Sequence, residues 1–404
     1  MTKDKESAAG PLAGLRIVDI STVVAGPFAA GLLGDYGARV VKVEMPGSGD
    51  SLRALAPHKN GVPLWWKVTN RNKKGITLDL RRPEGRALFA KLVADADVLV
   101  ENFRPGTLDG WGLTRDWLQA INPRLTILRV TGFGQDGPYA NRPGFARIFE
   151  AMSGFTQICG EEDGRPLHLG YPISDAVAGL FGALGILAAL HDLARHPDRR
   201  GQEIDCSATE AMLRTLEFLA IEHDQLGAVR TRSGNRSQYA APGNVYRTAD
   251  DKWASIAAST QSIFDRLCSA LGLRPLLDDP RFATNPARVQ NYRLLDEIVG
   301  GAIGRLTLAE LAQTLAHHEV GFSPIYDIAD VFADPQIAAR QAIVSVPDDE
   351  LGQVRMQGVV PRFSETPAKV RHAGPAIGQH NDEVYGGLGL SAAEIAALRD
   401  RKVI

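Results

Sequence analysis

The sequence predicts an α/β protein with a large domain on a mostly parallel sheet, a smaller α/β domain in the middle, and a return of the chain to the first. Three observations predict it. From 15 to 134, short β-branched runs alternate with amphipathic stretches of helical length, the pattern of crossover units. At 225–247 a segment rich in Arg, Ser, Gly and Asn interrupts it, and a second α/β piece follows over about 250–338. Strand-like runs then resume at 342–348 and 354–361. With 404 residues and 44% hydrophobic content, the chain can bury two cores. The expected large domain is 1–222 with 340–404, and the expected small domain is 223–339.

Each element has its own reason. A strand over 15–20 runs into a loop at 21–27, and Pro27 prepares a helix over 28–37. Positions 39–44 and 77–80 read as the second and third strands. Leu88 with Leu92, and Phe89 with Val93, give 83–96 a helical period. Strands follow at 97–101 and 125–134. The stretch 176–195 is an almost purely apolar helix, 201–207 a strand and 208–222 a helix. The small domain offers a strand at 253–258 and helices at 261–272 and near 307–317. A capping box, Ser391-Ala-Ala-Glu394, opens the last helix.

Composition excludes several functions. A net charge of −2 argues against a nucleic-acid binder, so an anionic ligand must be held by local cations. Cys159, Cys206 and Cys268 are too far apart in sequence for a metal site, and reduced thiols suit a cytoplasmic protein. The polar start, MTKDKESAAG, has no signal-peptide core, and the apolar run 176–190 is short for a membrane span. The expected protein is cytoplasmic, without metal or membrane.

Four segments carry chemistry. The run Gly170-Tyr-Pro-Ile-Ser-Asp175 places one acid at the head of the apolar helix. Asp175 reads either as a helix N-cap or as a carboxylate kept for reaction, since burying an unpaired charge is costly. Around one short strand stand Lys67, Arg71, Lys73, Lys74, Arg81 and Arg82, either a solvated edge or a phosphate site. Glu101-Asn-Phe-Arg-Pro-Gly106 follows directly on a strand, where parallel sheets collect ligands. The glycine-rich loop 131–145 stands at the same kind of position. A nicotinamide enzyme is disfavoured, because Ser21-Thr-Val-Val-Ala-Gly-Pro27 lacks the G-x-G-x-x-G phosphate turn.

These segments, with Gly47-Ser-Gly-Asp50, Gly201-Gln-Glu-Ile-Asp205 and Gly378-Gln-His-Asn-Asp-Glu-Val384, resemble the class III coenzyme A transferases of the formyl-CoA and carnitine-CoA type. The resemblance runs through nearly the whole chain in order. It implies a Rossmann-like, CoA-binding large domain and a ring-shaped subunit interlocked with a second copy as a homodimer. It puts Asp175 on the nucleophile and Val24 and Ala25 in the first CoA-contacting loop. Leu78 and Arg81 fall beside the nucleotide, with Asn102, Phe103 and Arg104 on the next such element. Arg142 to Phe145 fall on the loop above the thioester. No tightly bound cofactor is implied; the CoA thioester is a substrate. Two departures stand out. Met45 replaces an arginine of formyl-CoA members, and Ala258-Ser-Thr-Gln-Ser262 replaces their run of glycines, which disfavours formate–oxalate exchange.

An aspartate suits such a transfer because a carboxylate nucleophile conserves the thioester energy as an anhydride and then as an aspartyl–CoA thioester. No base is required, which agrees with histidines (His58, His168, His191, His196 and others) that form no evident triad. Arg53, Arg147 and Arg236 could each hold a second carboxylate, which makes a small dicarboxylate the expected acid and succinyl-CoA a plausible donor. The alternatives are an acyl-CoA racemase of the same fold or a non-catalytic CoA-binding protein. The racemase would need a histidine next to an aspartate in 143–147, which reads Pro-Gly-Phe-Ala-Arg.

Overall fold

Apolar residues of alternating direction build a six-stranded, all-parallel sheet. Its strands are β1 (Arg16–Asp19), β2 (Arg39–Glu44), β3 (Lys73–Thr77), β4 (Val98–Glu101), β5 (Thr126–Thr131) and β6 (Glu203–Ser207). They lie in the order β3-β2-β1-β4-β5-β6. The computed structural model describes residues 10–404, so the polar start at 1–9 lies outside them. Both faces of the sheet are buried, as parallel sheets require. Ile17, Val98, Val100 and Leu128 enter one core; Val18, Leu99 and Ile127 enter the other.

The strand order reverses between β1 and β4, so their carboxyl ends open a crevice there. Helix α1 (Ala25–Asp35) returns from β1, and α2 (Pro83–Ala94) leads into β4. The path from β5 to β6 passes through α3 (Ala146–Met152) and α4 (Ile173–Arg195). Two glycines let α4 lie against its neighbours. A Cβ at Gly179 would stand 2.8 Å from the Ala25 carbonyl oxygen, and one at Gly182 2.8 Å from Leu128. Gly179 meets Ala25 and Gly182 meets Ala29, so α1 and α4 run parallel, with α1 beginning beside the seventh residue of α4. Among the described residues, α4 is the one helix long and apolar enough to span a membrane; its inner face is packed in the core.

The chain divides into two compact units. One holds the described residues up to Phe155, Leu169–Ile221 and Gln336–Ile404; the other holds Thr156–His168 and Glu222–Pro335. The sequence reading kept 156–168 in the large domain, but that segment packs with the second unit. This unit has an antiparallel sheet of Phe322–Pro324, Trp253–Ala257 and Gly243–Arg247. Phe264, Phe282, Leu295, Val299 and Leu311 fill its core.

Three sequence expectations need correction. The third strand is 73–77, not 77–80, and it begins on a fully buried lysine that the residue type marks as exposed. The helix expected over 208–222 ends at Thr215, and Glu217 takes a left-handed turn (φ 36°) before the next helix. Helices Asn285–Gln290 and Tyr292–Ile303 were not expected at all.

Candidate active site

Asp175 is the third residue of α4. It is not the cap: Pro172 holds that position, and no side chain caps the helix. Its carboxylate makes no hydrogen bond or ion pair among the described residues, although it is only partly open to solvent. Burial, reinforced by the charge of Glu150, pushes its pKa up to about 7. Glu150 is wholly buried on α3 and receives the Ser174 N–H at 3.5 Å, while the Ser174 hydroxyl donates to the Ala146 carbonyl at 3.0 Å. The ring of Tyr171, just before the helix, lies 6.3 Å from that of Trp65.

The crevice at the switch point is tied together by backbone and amide. Asn102, after β4, accepts from the Thr22 N–H at 2.7 Å and donates to the Thr22 carbonyl at 2.7 Å. Below it lies a buried ion network. Asp19 accepts from the Ser21 hydroxyl at 2.5 Å and from Lys73 at 2.9 Å, with Lys42 at 3.9 Å. Lys42 also reaches the Ser21 carbonyl and stands 3.2 Å from Asp50. Burial opposes the charge on Asp19, but the two lysines hold its carboxyl below the usual range. Burial lowers the Lys73 ammonium to about 8.

Beside this network a cavity of about 100 Å³ is lined by Ile20, Val43, Met45, Leu78, Phe103 and Trp111, with Arg81 as its cation and Glu44 and Asp50 on its wall. Phe103 is held edge-on against Trp111 at 5.0 Å, and its N–H donates to Glu101 at 2.7 Å. Arg81 bonds Asp79 at 2.8 Å and rests on the Met45 sulfur at 3.4 Å. An apolar slot with an aromatic wall and a cation at its mouth can take a flat heterocycle bearing phosphate.

A model of CoA-transferase family III matches residues 12–381. The chain belongs to CoA-transferase family III. It is 43% identical over 396 residues, 98% of each chain, to succinyl-CoA–D-citramalate CoA-transferase of Chloroflexus aurantiacus. To the beta subunit of succinyl-CoA–L-malate CoA-transferase from the same organism it is 41% identical, again over 98% of each chain. The crystal structure of a CaiB/BaiF family protein from Brucella suis superposes with a TM-score of 0.84. That protein is 34% identical, and the match covers 94% of this chain and all of that one. The protein is thus a class III CoA-transferase acting on acyl-CoA substrates.

The cavity of this CoA-transferase brings together three of the expected residues, Leu78, Arg81 and Phe103. Arg104 is exposed and unpaired among the described residues. Val24 and Ala25 are buried at the start of α1. Arg142 stands over the Tyr139 ring at 5.0 Å, and Phe145, at the start of α3, is 77% exposed. The basic cluster is mostly structural. Arg71 pairs with Asp35 at 2.5 Å, Lys67 with Asp348 at 2.6 Å and Lys74 with Glu383; Arg82 reaches the Arg401 carbonyl. Arg53 is equally committed, held by Glu44 at 2.7 Å and stacked over Trp66 at 3.6 Å. Arg236 stands 3.5 Å from Glu162. In the second unit, Thr260 caps a helix starting at Gln261, so 258–262 is a helix entrance there, not a glycine loop. Sequence reasoning missed Glu150 and Asp50; an acid three residues after Arg147 reads as an ordinary surface pair until α3 is seen packed under α4.

Proposed function

We propose that this CoA-transferase moves CoA from succinyl-CoA to a small dicarboxylic acid, with Asp175 as nucleophile. The observation that carries the reading is an unpaired, partly buried carboxylate at the head of α4, beside the uncapped start of α1. Asp175 attacks the acyl carbonyl carbon, expelling CoA thiolate and leaving a mixed anhydride. The thiolate then attacks the aspartyl carbonyl and releases the donor acid, giving an aspartyl–CoA thioester. The acceptor carboxylate attacks that thioester, and the expelled thiolate takes the new acyl group and frees Asp175. Atoms and charge balance at every step, and no water enters. The two helix N-termini favour the oxyanions that form along the way.

In this reading the first unit is the CoA-binding domain. Leu78, Phe103, Arg81 and Arg104 hold the nucleotide end, Asn102 fixes the loop carrying Val24 and Ala25, and Arg142 to Phe145 close above the thioester. Of the three arginines considered for the second carboxylate, Arg147 alone has no ion-pair partner among the described residues, so it is the candidate. The names of the relatives support succinyl-CoA as donor. Leu180, Phe181 and Leu184 on α4, with Ile148 and Met152 on α3, leave an exposed apolar face that supports an interlocked homodimer. The buried thiols of Cys206 and Cys268 suit the cytoplasm.

The test is a panel of succinate, malate, mesaconate, citramalate, glutarate, oxalate and aromatic acids against succinyl-CoA and acetyl-CoA. The reading expects dicarboxylates to be preferred and Arg147→Ala to raise their KM selectively. Activity confined to monocarboxylates or aromatic acids would overturn the substrate class and leave Asp175 untouched. Sedimentation of the protein expressed alone tests the homodimer, which a folded monomer at micromolar concentration contradicts.

A further inference from the structure

We infer that Asp50 is a positioning residue for the transfer: it holds Val23 in a left-handed backbone conformation that aims the start of α1 at the reacting thioester. The inference rests on the reading that the thioester docks where α1 and α4 begin.

The first observation is strain. Val23 has φ 63°, a conformation that glycine adopts freely and a β-branched residue almost never does. Such an outlier persists only where its surroundings over-determine it. Here they do. The Val23 N–H donates to Asp50 Oδ1 at 3.0 Å. Thr22, one residue earlier, is clamped by both ends of the Asn102 amide. Val23 packs on the small apolar cluster of Val24, Leu52 and Trp66.

The second observation is how firmly Asp50 itself is fixed. It is 3% exposed, and the same Oδ1 also accepts the Leu52 N–H at 2.9 Å. Its own N–H donates to Glu44 at 2.9 Å, and Glu44 is gripped by Arg53. Lys42 stands 3.2 Å from its other oxygen and holds the carbonyl of Ser21 as well. One carboxylate therefore ties the 47–54 segment to the 21–24 turn, and both Thr22 and Asp50 line the cavity.

The consequence falls on α1. The helix starts at Ala25, two residues after the strained turn, and no side chain caps it. Its first N–H groups have no acceptor within the helix. The Ala25 carbonyl lies against Gly179, one turn beyond Asp175. A turn that relaxed to negative φ would swing those N–H groups away from the nucleophile.

The experiment compares Asp50→Ala, Asp50→Asn and the double variant Asp50→Ala with Val23→Gly, measuring kcat and KM for succinyl-CoA. Misplacing the turn should lower kcat about a hundredfold in Asp50→Ala. Asp50→Asn keeps an acceptor oxygen for Val23 and should lose no more than about fivefold in kcat. Glycine removes the cost of the left-handed turn, so the double variant should recover kcat by about fivefold or more over Asp50→Ala. A purely structural role gives no such rescue. Wild-type kcat in Asp50→Ala, equal losses in Asp50→Asn and Asp50→Ala, or no recovery in the double variant would each overturn the inference. The reading beneath it fails separately, by undiminished transfer in Asp175→Ala.

Discussion

Two acids in the same unit have opposite surroundings. Asp19, at the end of β1, is wholly buried and meets Ser21, Lys73 and Lys42, which together hold its carboxyl low. Asp175, at the head of α4, meets no cation among the described residues and has a second acid, Glu150, for company; burial and that neighbour raise it to about 7. A buried carboxylate with partners is held in place by them, and its loss leaves them stranded. A carboxylate kept without partners stabilises nothing, and its basicity is left for reaction. On the proposed mechanism, the difference separates framework from chemistry within one unit.

The largest expected effect is on Asp175. Replacing it with alanine should lower transfer by about ten-thousandfold or more, because no other group supplies the nucleophile. Melting and circular dichroism should show an intact fold, and steady-state transfer assays read the loss. Next is Asp19→Ala, which leaves Lys73 in the core without its acid and should cost about 3–5 kcal/mol, read from urea unfolding at pH 7. Its contribution is present above about pH 4 and is lost as pH falls below the lowered folded value. A mild cost for Asp19→Ala would mean that the network is less tightly coupled than its geometry states.

Arg104→Ala comes third, with an expected tenfold or so rise in KM for the CoA donor, since a charge-assisted phosphate contact is worth about 1.5–3 kcal/mol. If the acceptor's KM rises instead, Arg104 belongs to the other half of the site. The smallest effect sharpens the contrast of the two acids by sign. Asp175 binds its proton more tightly folded than unfolded, so its ionisation destabilises the fold as pH climbs from about 4 to about 7. Asp175→Asn should therefore melt higher than wild type at pH 8, and the gap should close below pH 4. A gap independent of pH would remove the buried-charge argument.

Most of the sheet was legible from periodicity, because each strand but one is an apolar run between helical stretches. β3 escaped because its first residue is Lys73, whose ammonium is buried against Asp19, the Pro27 carbonyl and Asn70. Pairings between residues fifty positions apart leave no local signal. For the same reason the cluster at 67–82 reads only as a solvated edge or a phosphate site: its partners Asp35, Asp348 and Glu383 lie far away in sequence. Asp175 was legible because its isolation in an apolar run is itself local. Glu150 and Asp50 were not, since the role of each depends on which helix or loop it packs beneath.

The most direct test of the account is to trap the enzyme-bound acyl group. The protein is incubated with succinyl-CoA and hydroxylamine and then digested for peptide mass spectrometry. An activated aspartyl carbonyl captured by hydroxylamine becomes a hydroxamate. The account predicts that hydroxamate on Asp175, only when the acyl-CoA is present, in step with loss of transfer activity. Full loss of activity with the label on Glu150 or another acid, or undiminished transfer with Asp175 unmodified and no adduct anywhere, would contradict it.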